Sequence, residues 1–157
     1  MRLRKNRSPS RELLFTVIAI HITDRQKTLK IDRRRMRQVV RAIIRDAGIS
    51  EATISIAILD DAAIAKLHGQ FLDDPTPTDV LSFVLEHTDK SLEGEVVASA
   101  DTARACAPRY KLSPEQELLL YVIHGTLHLV GYDDATPRQS AVMRRKEAEY
   151  LQDAKSV

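Results

Sequence analysis

His124 and His128 stand four residues apart in a run that also holds Gly131, Asp133 and Asp134. On a helix, side chains at that spacing share a face with their bases about 6 Å apart, so both imidazoles can reach one metal ion. Taken alone, an H-x-x-x-H pair is a weak signal, because histidines on an apolar helix commonly hydrogen-bond within a core. Gly131 strengthens it. It ends the helix directly after the pair and lets the chain turn back, which places Asp133 and Asp134 to offer a third ligand. Two histidines and a carboxylate suit a catalytic Zn²⁺, since they leave one coordination position open. Gly125 stands where an H-E-x-x-H zinc protease carries its general base, so peptide hydrolysis of that kind is disfavoured. Cys106 is the only cysteine, which excludes an internal disulfide and any four-thiolate zinc site. His21, His87 and Cys106 sit in no pattern that gives them a role.

The elements that must position these groups can be read from caps and periodicity. Ser113-Pro114-Glu115-Gln116 is a capping box with proline at the first helical position, and it starts a helix running to about Val130. Apolar residues surround that helix, so it should be buried at the centre of the domain, with its C-terminal end opening onto a cleft. Thr136-Pro137-Arg138-Gln139 repeats the start signal for a final helix to about 152. Upstream, a strand is expected at 12–22 and a helix at 32–47, capped by Asp32 and ended by Gly48. A second strand follows at 53–59, then a helix from Asp60 or Asp61 to about Phe71. The two prolines of Asp73–Thr78 make a loop. Strands at 80–86 and 94–99 and a short helix at 101–108 complete the pass. The fold class is α/β (α+β): a single domain with a mixed four-stranded sheet packed with helices, one of them a buried metal-bearing helix.

These residues carry a family resemblance. His124-Gly125-Thr126-Leu127-His128-Leu129-Val130-Gly131-Tyr132-Asp133-Asp134 resembles the YbeY signature H-G-x-L-H-L-x-G-Y-D-H, differing at the last position, where Asp134 replaces histidine. Pro77-Thr78-Asp79-Val80-Leu81-Ser82-Phe83 is similar to that family's P-T-D-V-L-S-F segment, and Gly94-Glu95-Val96-Val97 to its G-D-I-x strand. Where the family usually shows L-N-x-x-Y-R, this chain has Leu67-His68-Gly69-Gln70-Phe71-Leu72, so its asparagine and arginine are His68 and Leu72 here. The resemblance covers roughly residues 50–151 well.

It implies a single-strand-directed endoribonuclease of ribosomal RNA maturation, acting near the 3′ end of the small-subunit RNA. It implies one divalent metal ion, expected to be zinc, on His124, His128 and Asp134. It also places Asp79 and Ser82, with Thr78 beside them, at the border of the active site. The expected partners are ribosomal RNA and the small ribosomal subunit. A catalytically weak assembly factor that binds RNA and keeps a structural metal is the alternative.

Charge bears on the RNA partner. Residues 1–46 hold 14 Lys+Arg against 4 Asp+Glu, and the rest of the chain holds 10 against 18. Arg34, Arg37, Arg41 and Arg45 form a stripe on one helix that could meet phosphates, or could be a solvated face. With no Trp and 4% aromatic residues, a broad base-stacking platform is not expected. Residues 1–10 are expected to be a disordered basic arm, with the domain covering 11–157. The apolar run Leu13–Ile20 is too short to span a membrane and is read as strand, so a cytoplasmic protein with no membrane contact is expected.

Overall fold

A computed structural model describes residues 16–73 and 78–155. The basic arm expected at 1–10, the start of the first expected strand and most of the proline loop lie outside these residues.

Alternation with a period of two sets the sheet. In β2 (Glu51–Leu59) the side chains of Ala52, Ile54, Ile56 and Ile58 are buried on one face. The opposite face is exposed at Thr53 and becomes buried only at Leu59. β1 (Val17–Asp24) runs parallel to β2, which runs parallel to β4 (Ser91–Ser99). β3 (Val80–His87) pairs antiparallel with β4 through a tight turn, with a bulge between Val84 and Glu86. The sheet order is β1-β2-β4-β3, the expected mixed four-stranded sheet. The strands begin and end a few residues from the expected limits. β4 starts at Ser91 because the hairpin turn continues the pairing beyond the apolar run.

α1 (Arg33–Asp46) is capped by Asp32, whose side chain accepts from the Arg35 N–H, and it buries Met36, Val39, Val40, Ile43 and Ile44. The chain leaves it through Gly48 at φ +77°, a conformation that glycine adopts without penalty. α2 (Asp61–Leu72), capped by Asp60, lies on the other face of the sheet, where Ile64 packs with Leu59, Leu81 and Val97. α3 (Ala100–Cys106) and a 3-10 turn (Ala107–Tyr110) lead to α4 (Pro114–Leu129), and α5 (Pro137–Lys155) closes the chain.

α4 is the buried centre, in contact with β3, β4, α1, α3 and α5. Its start is the expected capping box, with Ser113 and Gln116 bonded reciprocally to each other's backbone. Two glycines let it sit close to the sheet. A Cβ on Gly125 would stand 2.7 Å from Val96 Cγ1, and one on Gly94 would stand 2.9 Å from Leu129 Cδ2. A methyl group forced into such a contact costs about 1–3 kcal/mol. Gly125 is therefore explained by packing as well as by the absence of a protease base.

The arginine stripe divides. Arg33 Nη1, Arg37 Nε and Arg41 Nη2 donate to the carbonyls of Ile22, Ile20 and Ile18 at 2.9, 3.3 and 3.4 Å. Four helical residues rise about 6 Å and two strand residues about 6.6 Å, so the two ladders keep step. Three guanidiniums thus cover carbonyls of β1, an edge strand among the described residues, where open pairing invites association. Arg34 and Arg45 remain exposed. No helix among the described residues is long and apolar enough to cross a membrane.

Candidate metal centre

The last turn of α4 carries both histidines to the edge of the core. The helix stops in a Schellman arrangement, with the Tyr132 N–H donating to Leu127 O and the Gly131 N–H to His128 O at 3.0 and 3.1 Å. Gly131 takes φ +105°, which allows the reversal. The chain then passes Asp133 and brings Asp134 over the exposed edges of the two rings.

His124 Nε2 lies 3.1 Å from His128 Nε2. The Asp134 carboxylate stands 3.5 Å from His124 Nε2 and 3.6 Å from His128 Nε2. Among the described residues, these three are the group whose donor atoms gather closely enough to share an ion. An ion held tetrahedrally at about 2.0–2.2 Å from each donor would set them roughly 3.3–3.6 Å apart. The observed separations bracket that value, and two imidazole nitrogens with one carboxylate oxygen are a donor set that fits a divalent metal. His124 and His128 are about one quarter exposed and Asp134 44% exposed, so one side of the group is open to solvent.

A residue that sequence reasoning did not single out completes the arrangement. Glu147 of α5 places Oε1 2.5 Å from His124 Nδ1. The carboxylate turns Nε2 toward the other donors, and a carboxylate behind a ligating histidine fixes its tautomer and ring orientation. The same hydrogen bond raises the His124 pKa above the usual imidazole value, against the opposing effect of burial. A signal for Glu147 was present. It lies on the helical stripe formed by Met143, Tyr150, Leu151 and Ala154, all buried, where a carboxylate needs a partner.

Other candidates fall in different places. Asp133 Oδ1 accepts from the Asp134 N–H at 2.8 Å, so it braces the turn and does not join the donor group. Asp79 caps the start of β3, with its carboxylate accepting from the Val80 N–H at 2.8 Å, and it shares a cavity with His124. Ser82 donates to the Gly125 carbonyl at 3.0 Å, which ties β3 to α4. Its hydroxyl is engaged with the helix backbone at the residue that follows His124, on a strand that packs against α4. The α1 arginines belong to the opposite edge of the sheet from β3. Leu72 is 56% exposed at the end of α2.

Comparison with known proteins points to one family. A family model described as "Endoribonuclease YbeY" matches residues 21–155. The Endoribonuclease YbeY of Rhodopirellula baltica is 48% identical over 102 residues, which cover 64% of this chain and 53% of that protein. The chain thus spans about half the length of this relative. Those of Salinibacter ruber and Syntrophotalea carbinolica are each 36% identical, over 78% and 83% of this chain and 83% and 91% of theirs. The solution structure of TM1509 from Thermotoga maritima is similar with a TM-score of 0.60 and 26% identity, over 86% of this chain and 88% of that one.

Proposed function

The chain belongs to the Endoribonuclease YbeY family, and from that premise we propose that it is a metal-dependent endoribonuclease. Its substrate is single-stranded RNA, and its task is ribosomal RNA processing near the 3′ end of the small-subunit RNA, in the cytoplasm. The observation that carries this reading is the convergence of His124, His128 and Asp134 on one point at an open edge of a buried helix.

These three residues would hold the ion, which we take to be zinc because two imidazoles and one carboxylate match its preferred ligands. When bound, it supplies Lewis acidity toward a phosphate oxygen. The protein supplies position. Glu147 holds the His124 ring, the Schellman turn holds Asp134, and the Ser82 bond to Gly125 seats α4 on β3. Asp79, on the cavity beside His124, is the carboxylate we assign as a proton acceptor for the attacking oxygen.

Purified protein treated with a chelator should leave single-stranded RNA intact, and restored zinc should return cleavage, while duplex RNA resists throughout. His124→Ala should abolish cleavage under the same conditions. Cleavage by His124→Ala at the wild-type rate would end this reading. So would zinc-loaded wild-type protein that cuts no single-stranded RNA.

The arginine stripe at 34, 37, 41 and 45 enters the proposal as a phosphate-binding face. Since Arg37 and Arg41 also cover the edge of β1, their roles separate by measurement. Arg34→Gln with Arg45→Gln should lower the salt slope of RNA binding by about 0.7 for each phosphate deprived of its guanidinium. Arg37→Gln with Arg41→Gln should in addition lower the melting temperature. An unchanged salt slope in both pairs would reduce the stripe to a structural and solvated face.

A further inference from the structure

We propose that the cavity beside the donor group is a subsite for one nucleotide of single-stranded RNA, in which Tyr110 stacks on the base and Arg144 pairs with the adjoining phosphate. The proposal rests on the reading of the chain as an RNA hydrolase and names where the strand lies.

The cavity has a volume of about 360 Å³ and opens between the 3-10 turn, α4 and α5. That is within the range of about 300–1,000 Å³ typical of small-ligand sites. His124 lines it, so a strand whose reacting phosphate lies at the donor group has a neighbouring nucleotide within reach of this space.

Its charges do not favour a polyanion by default. Asp79 and Glu147 line the same walls and repel a phosphate. Arg144 is the guanidinium that lines it. It lies on α5, three residues before Glu147, yet that carboxylate is turned to His124, and no ion pair engages Arg144 among the described residues. An exposed guanidinium with no partner among the described residues offers its donors to a ligand, in the planar fork that suits phosphate.

Tyr110 supplies the second half. Its ring is 66% exposed at the cavity, in a chain with only 4 Tyr, 3 Phe and no Trp. The 3-10 turn that carries it is fixed by Pro108 and by Lys111 in the left-handed region at φ 55°. A single held aromatic ring next to a free guanidinium is how proteins bind an unpaired base and its backbone without reading long sequence.

The third observation is an unmet need. Glu117 also lines the cavity, at 2% exposure, and its Oε2 has no hydrogen-bond partner among the described residues. Buried polar atoms are nearly always satisfied, and those that are not call for an explanation such as a ligand. The Tyr121 hydroxyl lies against the same carboxyl, and a turn of the Glu117 side chain would bring Oε2 to the N–H edge that every RNA base carries.

The test measures binding of a fluorescent single-stranded hexaribonucleotide to chelator-treated protein across a salt series, and cleavage of the same RNA after zinc is restored. Tyr110→Ala should weaken binding about tenfold without changing the salt slope, the scale of one base–aromatic stack. Arg144→Gln should weaken binding and lower the slope by about 0.7. Lys66→Gln, an exposed charge on α2 across the sheet, should bind as wild type does. Both site variants are at exposed side chains, and matched melting curves would show that their folds are intact. If wild type cleaves RNA while Tyr110→Ala and Arg144→Gln bind it with wild-type affinity and slope, the subsite is wrong and the nuclease reading stands. A Lys66→Gln loss equal to that of Arg144→Gln would also overturn the subsite. If wild type neither binds nor cleaves RNA, both readings fall together.

Discussion

Asp134→Ala is expected to leave the purified chain with little bound zinc, where wild type should carry about one ion per chain, as a single three-residue site allows. The reason lies in the geometry of the turn. His124 and His128 are fixed by α4, but two imidazoles alone bind zinc weakly, and the Asp134 carboxylate closes the set at 3.5 and 3.6 Å from their nitrogens. Losing a ligand should weaken affinity by more than the ~10–100-fold that follows from losing a residue behind one. Asp133→Ala should retain the ion, because the Asp133 carboxylate is occupied with the Asp134 N–H. Asp134→His should also retain it, since the position then offers a third imidazole nitrogen. Metal analysis after dialysis against a weak chelator separates these cases. Zinc retained in Asp134→Ala but lost from Asp133→Ala or His68→Ala would overturn the assignment of the third ligand.

The sequence made the helices legible because their ends are written in side-chain chemistry. Asp32, Asp60, Ser113 and Thr136 each stand at a cap, and each side chain accepts the expected backbone N–H. The histidine pair was legible for the same reason, since spacing on one helix needs no tertiary information. What depends on packing between distant elements was harder to see. Glu147 meets His124 only because α5 folds back along α4. Arg33 completes the cover of β1 in place of Arg34, because the edge carbonyls choose the arginines that face them. The role of Gly125 required the position of Val96, and the bond of Ser82 to the α4 backbone required the register of β3. Asp134 marks the limit between the two kinds of information. Its place after a glycine stop was readable, but Asp133 could be set apart only once the turn showed which carboxylate faces the rings.

The partnership of Glu147 with His124 leads to the second large effect. Glu147→Ala should weaken zinc affinity by about 10–100-fold while leaving all three ligands in the sequence. The imidazole would lose the acceptor that holds its Nδ1, and with it the preference for presenting Nε2 to the other donors. Glu147→Gln should lose less, because an amide oxygen still accepts from Nδ1–H but brings no charge to the ring. The graded order of wild type, Gln and Ala is the signature of an orienting hydrogen bond, and competition with a chromophoric chelator measures it without any appeal to RNA cleavage. A melting curve taken beside it guards against a trivial cause, since Glu147 is only 16% exposed and its removal leaves space between α4 and α5. If Glu147→Ala is folded and binds zinc as tightly as wild type, the carboxylate serves the packing of α5 alone, and the orientation of His124 must come from the helix that carries it.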